Sequence, residues 1–141
     1  MGRILAIDFG AKRIGIAVTD SNQIIATALD TVPSAEILNY LKNYFSKEKV
    51  SKIIVGEPKH LDGSESGPVE ALKNFKKALT RFFPHIPIES IDERFTSKIA
   101  FESMILSGAK KKDRENKSNI DKISAVIILQ DYLSQLSYRK S

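Results

Sequence analysis

The fold is constrained most by three strand-like segments that follow one another within the first 29 residues of this 141-residue chain. Residues 3–9 are an apolar run that ends at Gly10, residues 13–19 alternate with a period of two, and residues 23–29 are again rich in β-formers. Connections this short join antiparallel neighbours, whereas parallel strands need long crossovers. The segments therefore predict an antiparallel meander of three strands.

The rest of the chain alternates between helical and extended patterns. Two short apolar runs predict strands over residues 52–55 and 87–91. Ser34 is the predicted N-cap of the first helix. Apolar residues recur at helical spacing in four segments: residues 34–45, 68–82, 96–107 and 119–136.

A helix precedes each of the two later strands, so these strands are expected to join the sheet in parallel with their neighbours. The prediction is a single α/β domain over residues 1–141. It has a mixed five-stranded sheet, antiparallel in its first three strands, with helices on both faces.

Composition excludes several classes of function. The chain has no cysteine, which removes disulfides, thiol nucleophiles and zinc fingers, and its two histidines, His60 and His85, form no HExxH pattern. No apolar run approaches the ~18 residues of a membrane span, and the N-terminus is typical of a strand, so we expect a cytoplasmic protein without a membrane partner. A formal net charge of +5 permits a nucleic-acid partner without requiring one.

Acidic residues occupy positions that folding alone explains poorly. Asp8 interrupts the first apolar strand, Asp92 and Glu93 follow the strand over residues 87–91, and Asp121 opens the most apolar helix. A carboxylate in a central strand is costly unless it is paired, hydrogen-bonded or bound to a cation, and strand ends are where open α/β sheets build sites. Structural explanations also exist: a turn cap for Asp8, an N-cap for Asp92, and a helix-dipole partner for Asp121.

Acids from distant segments together favour a metal site. Oxygen ligands with no histidine or cysteine nearby favour Mg²⁺ or Mn²⁺ over zinc. In a basic protein, hard cations on carboxylates indicate phosphoryl transfer on nucleic acid, in which metal ions activate water and stabilise the leaving oxygen.

Basic residues accompany these acids. Lys12 and Arg13 follow Asp8 on the first hairpin, and Arg94 adjoins Glu93. Residues 110–117 hold five basic and two acidic residues, which predicts either a basic flap beside a phosphate site or a solvated loop. The nucleic-acid contacts predicted in this segment are Lys110, Lys111, Lys112, Arg114 and Lys117.

Four ordered stretches, within residues 4–133, resemble the signature motifs of one family. They are AIDFGAKRIGIAVTD, VGEPKHLDGSES, IDERFTS and IDKISAVIILQDYL. In this order they resemble the YqgF (RuvX) family, described as nucleases of precursor 16S rRNA and as Holliday-junction-resolvase-like. The resemblance implies a ribonuclease-H-like fold and metal-dependent processing of the 5′ end of precursor 16S rRNA in ribosome biogenesis. Resolution of DNA junctions, or RNA binding without catalysis, are the alternatives.

Carried over motif by motif, the resemblance assigns catalysis and metal binding to Asp8, Glu93 and Asp121. It makes Arg13, Arg94 and Thr96 their polar neighbours. The sequence departs from the family pattern elsewhere, at positions that concern a loop and helix packing: Glu57, Ser66, Phe95 and Ser97.

The first motif also resembles the phosphate loop of actin-like ATPases and sugar kinases. Those enzymes close two such domains around a nucleotide, whereas this chain has the length of one. The length of the chain therefore favours a nuclease over these enzymes. We also expect a monomer or weak homodimer.

Overall fold

The computed structural model describes residues 2–10, 12–57, 69–92 and 117–140, which form one sheet flanked by helices. The elements in chain order are β1 (Arg3–Asp8), β2 (Arg13–Thr19), β3 (Ala26–Pro33), a 3₁₀ helix (Ser34–Glu36), α1 (Ile37–Lys47), β4 (Val50–Glu57), α2 (Val69–Phe82), β5 (Ile88–Asp92) and α3 (Lys117–Lys140).

The five strands lie in the order β3-β2-β1-β4-β5. Strand β2 is antiparallel to both β1 and β3, whereas β4 is parallel to both β1 and β5. This arrangement confirms the predicted meander and the predicted parallel additions. It also makes β1 the central strand, with β4 and β5 ending at the same edge as β1.

Alternation along β1 divides the core into two layers. Leu5 and Ile7 belong to the layer beneath α1 and α2, while Ile4 and Ala6 belong to the layer beneath α3. The buried residues of α3 recur every three or four positions, so one side of the helix faces the sheet. The buried apolar residues are Ala125, Ile128, Leu129 and Tyr132, and Ser124 is buried beside them.

The contacts of Tyr132 show which way α3 runs across the sheet. Its hydroxyl accepts a hydrogen bond from Lys52 Nζ at 2.8 Å and donates one to Glu89 Oε2 at 2.9 Å. Lys52 and Glu89 lie near the beginnings of β4 and β5. The C-terminal half of α3 therefore lies at the edge where β1, β4 and β5 begin, and Gln130 and Ser134 line a pocket with Ile24 and Ala26 at the start of β3, on the same edge. The buried residues that precede Tyr132 continue from there across the sheet, so α3 runs antiparallel to β1.

Strand β3 begins later and ends later than the predicted segment 23–29. The reason is the Asp20 carboxylate, which accepts hydrogen bonds from the N–H groups of Asn22, Ile24 and Ile25 and holds this stretch as a turn. Gln23 has a positive φ of 59° there. The first residues predicted to be strand are thus part of the loop.

The predicted N-cap at Ser34 is wrong. Pairing of β3 with β2 continues to Pro33, which lies opposite Arg13, and Ser34 then begins the 3₁₀ helix that precedes α1. The Ser34 N–H donates to the Lys12 carbonyl at 3.0 Å, so its backbone ties the helix start to the first hairpin.

The other predicted elements agree with the structure to within a few residues. The exception is the helix over residues 96–107, which lies outside the described residues. None of the helices in the described ranges has the length and apolarity that a membrane crossing requires.

Candidate active site

Strands β1, β4 and β5 end side by side, and each brings a carboxylate to this edge. Asp8 of β1 lies opposite Gly56 of β4, and the next residue, Glu57, lies opposite Asp92 of β5. We call this the carboxyl edge of the sheet. The carboxyl ends of parallel strands are where open α/β sheets place their sites.

The alternation of side chains separates these acids onto two faces of the sheet. Asp8 follows Ala6 by two residues and therefore shares the α3 face. Glu57 follows Val55 by two residues and lies on the α2 face, where Lys76 of α2 forms an ion pair with it. Asp92, which lies opposite Glu57, is also on the α2 face.

Glu57 has a structural role, because it pairs with a lysine of α2. Lys76 Nζ donates to Glu57 Oε1 and also to Ser90 Oγ, at 3.0 Å for the serine. One ammonium group thus links α2 to the end of β4 and to the middle of β5. The Lys76 side chain is 31% exposed and the Glu57 side chain is 24% exposed. Because this partly exposed ion pair joins a helix to a strand, we assign it to the docking of α2 on the sheet.

The backbone of Asp121 lies on the same side of the sheet as Asp8. Asp121 is the fifth residue of α3 and precedes Tyr132 by 11 residues, which corresponds to about 16 Å of helix. Because Tyr132 lies over the starts of β4 and β5, this distance along the helix brings Asp121 towards the carboxyl edge. The Asp121 side chain is not among those that the structure describes.

Glu93 directly follows the last residue of β5 and lies outside the described residues. The predicted nucleic-acid contacts Arg94, Lys110, Lys111, Lys112 and Arg114 also lie outside the described residues. Lys117 is the first residue of α3, and its side chain is also outside those described.

The hairpin between β1 and β2 brings the predicted basic pair to the carboxyl edge. Gly10 is required there, because a Cβ at this position would lie 2.4 Å from the Arg13 carbonyl oxygen. Arg13 precedes Gly15 by two residues, and Gly15 lies opposite Asp8, so Arg13 shares the Asp8 face. Lys12 is exposed beside it.

The donor chemistry at the carboxyl edge suits a hard cation. Asp8 is partly buried and contributes oxygen atoms, the chain has no cysteine, and His85 lies in the turn before β5, at the opposite edge. Within the described ranges, no three histidine or acidic side chains meet as a metal-binding group. Of the predicted ligands, only the Asp8 side chain belongs to those ranges.

The family follows from a match that covers nearly the whole chain. The family model described as "RuvX: Holliday junction resolvase" matches residues 2–135. The chain belongs to the RuvX family. This match confirms the predicted family in preference to the actin-like ATPases.

Curated relatives of this RuvX family member are similar to it over nearly their full lengths. A protein of Flavobacterium psychrophilum is 52% identical over 135 residues, covering 96% of this chain and 98% of the relative. A protein of Bacteroides thetaiotaomicron is 50% identical over 133 residues, covering 94% and 96%. Both carry the name "Putative pre-16S rRNA nuclease".

A solved structure confirms the ribonuclease-H-like fold. T. thermophilus RuvC, in complex with a Holliday junction substrate, superimposes with a TM-score of 0.54 at 13% identity. The similarity covers 95% of this chain and 96% of that one. At this level of identity the likeness establishes the shared fold.

Proposed function

We propose that this RuvX family member is a metal-dependent nuclease that processes the 5′ end of precursor 16S rRNA in the cytoplasm. The observation that carries the proposal is the position of Asp8, a partly buried carboxylate at the carboxyl edge of the central strand. The names of the curated relatives supply the substrate class. The protein acts as a single domain over residues 1–141, as a monomer or weak homodimer.

The proposed ligands are Asp8, Glu93 and Asp121. Ile91 packs in the core layer beneath α3. Side chains two residues apart in a strand share a face, so extending the alternation of β5 by two residues would put Glu93 on the α3 face with Asp8. Asp92 would then stay on the α2 face. This reasoning favours Glu93 over Asp92 as the ligand, and the direction of α3 supports Asp121 as the third.

The bound ions are one or two Mg²⁺ or Mn²⁺, because carboxylate oxygens are the donors that hard cations prefer. When bound, such ions activate a water molecule and stabilise the leaving oxygen of a phosphodiester. The role of the chain is to hold the ions and to orient the phosphate. Lys12, Arg13, Arg94 and Thr96 are proposed to contact the scissile region.

Residues 110–117 are proposed as a basic flap over the phosphate backbone. Their net charge of +3 is more than half of the formal net charge of the chain. Contacts of this kind add affinity without reading sequence. The metal ligands lie in other segments, so removing flap charges is expected to weaken binding and to leave the hydrolytic step intact.

Resolution of DNA junctions is the second candidate, because the matching family model is described as a Holliday junction resolvase. Symmetric cleavage of two strands requires two active sites, whereas RNA processing requires one. Solution mass at micromolar concentration therefore bears on this choice. A predominantly monomeric protein favours RNA processing, and a stable dimer favours junction resolution.

The proposal is tested by incubating the purified protein with Mn²⁺ and labelled precursor 16S rRNA, and separately with a four-way DNA junction. We expect cleavage of the RNA at its 5′ side and no symmetric cutting of the junction. Asp8→Asn protein purified in parallel controls for contaminating nuclease. RNA binding with no cleavage by the wild type would contradict the proposal and favour a non-catalytic RNA-binding module.

A further inference from the structure

Helix α2 carries a row of basic residues that neither the sequence motifs nor the candidate active site account for. The helix has four basic residues and one acidic residue among its 14 positions. Lys76 is engaged by Glu57 and Ser90. Lys73, Lys77 and Arg81 are exposed, recur every four residues, and line a shallow groove together with Lys76 and Thr80. We call Lys73, Lys77 and Arg81 the α2 row.

Folding does not explain the α2 row well. Residues four apart are neighbours on a helix surface, and like charges at this spacing destabilise a helix. Arg81 lies in the last turn and gains from the helix dipole, but Lys73 is a full two turns further from that end and gains little. Three cations at successive turns of an exposed helix face are stabilised better by a polyanion than by the protein itself.

The row begins beside the candidate active site. The Phe75 ring stacks on Phe9, with ring centroids 5.0 Å apart, and Phe9 directly follows Asp8. Lys76, one residue further along, is paired with the last residue of β4. The turn of α2 that contains Lys73 therefore lies at the carboxyl edge, and the row extends from there along the helix for about 12 Å.

We propose that the α2 row is a track for the RNA backbone beyond the cleavage site. A strand that crosses the carboxyl edge from the α3 face would continue onto α2, where the three cations contact successive phosphates. The Thr80 hydroxyl, which donates to the Lys76 carbonyl at 3.1 Å, retains oxygen lone pairs for a water or ribose contact. This inference rests on the proposed nuclease function and adds a second binding surface to it.

The test measures binding of a labelled single-stranded RNA of mixed sequence, without divalent metal so that no cleavage occurs, across a series of salt concentrations. The test variant combines Lys73→Gln, Lys77→Gln and Arg81→Gln. Each single-stranded phosphate contact contributes about −0.7 to the slope of log K against log salt, so losing three contacts flattens the slope by about 2. Glutamine keeps good helix propensity, and relief of like-charge repulsion should leave the melting temperature unchanged or slightly raised.

A matched control removes the same charge elsewhere. Lys42, Lys47 and Lys49 are exposed on and just after α1 and do not line the groove. Their triple change to glutamine has the same effect on net charge, so it reports the general electrostatic loss. We expect the α2 variant to flatten the slope by at least one unit more than this control. Equal slopes for the two variants would overturn the proposal.

Cleavage separates failure of the track from failure of the nuclease proposal. In Mn²⁺, a short RNA that covers only the carboxyl edge should be cleaved equally by the wild type and the α2 variant. A longer RNA that also reaches α2 should show a raised KM in the α2 variant with kcat unchanged. If the wild type cleaves both RNAs and the α2 variant matches it on the long one, the track is refuted while the nuclease function stands.

Discussion

Replacing Tyr132 with phenylalanine tests how α3 is fixed on the sheet. Tyr132 is only 2% exposed, and its hydroxyl lies between Lys52 and Glu89. Phenylalanine keeps the ring, its packing against the core and the contact with Lys52 Nζ, which lies 5.5 Å from the ring centroid. The change therefore removes one hydroxyl and little else.

The magnitude follows from the exposure of the two partners. A hydrogen bond to a charged group contributes about 1.5–3 kcal/mol when it is sheltered from water. The Lys52 and Glu89 side chains are 33% and 36% exposed and remain paired with each other at 3.1 Å, so water and the ion pair compensate in part. We expect Tyr132→Phe to lower the free energy of unfolding by about 1 kcal/mol, and Tyr132→Ala by about 3–5 kcal/mol.

Urea denaturation followed by circular dichroism measures both variants. For Tyr132→Phe the midpoint should fall while the dependence of the unfolding free energy on urea stays unchanged, since the core is intact. The melting temperature of Tyr132→Phe should fall by about 4 °C. Tyr44→Phe is the control, because within the described residues the Tyr44 hydroxyl makes no hydrogen bond. A loss for Tyr132→Phe no larger than that for Tyr44→Phe would refute this account of how α3 is fixed on the sheet.

Three further predictions concern the metal, the basic flap and pH. Millimolar Mn²⁺ or Mg²⁺ should raise the melting temperature of the wild type more than that of Asp8→Asn, because a cation relieves repulsion among the acids; equal shifts would argue against a metal at Asp8. Changing Lys110, Lys111 and Lys112 to alanine should flatten the salt dependence of RNA binding by up to about 2 units, and an unchanged slope would make the segment a solvated loop. Backbone N–H groups of Ile25 and Ile24 lower the pKa of Asp20 in the folded protein. The contribution of Asp20 to stability is therefore present above its pKa in the unfolded chain and is lost as pH falls through the lower folded value. Asp20→Asn should lose less stability on acidification than the wild type does, as measured by thermal melting across an acid pH series.

Local patterns were sufficient for the sheet and insufficient for its details. Periodicity and connection length predict the meander and the parallel strands, because both depend on neighbours in sequence. The start of β3 was misplaced because the Asp20 side chain holds residues 22–25 in a turn that strand propensity does not register. Whether Ser34 begins a helix as its N-cap depends on how far β3 pairs with β2, and that pairing continues to Pro33.

For the same reason, local patterns identify only part of the candidate site. Asp8 stands out in the sequence as an acid in an apolar strand. Asp92 and Glu93 are adjacent in sequence, so only the register of β5 against β4 shows that Asp92 lies on the α2 face. The α2 row was not predicted, because the apolar periodicity of that helix identifies only its buried side. A search for like charges four residues apart on the opposite side would have found it.

The central claim is that Asp8, Glu93 and Asp121 form one metal-dependent site. It is tested most directly by comparing the cleavage rates of Asp8→Asn, Glu93→Gln and Asp121→Asn with that of Asp92→Asn, using precursor 16S rRNA and saturating Mn²⁺. Even the outer-shell partners of metal ligands are worth roughly 10–100-fold, so each of the first three changes should lower the rate by more than about 100-fold. Asp92→Asn, on the α2 face, should stay within a few-fold of the wild type. Near-normal cleavage by Glu93→Gln together with an inactive Asp92→Asn would contradict the assignment.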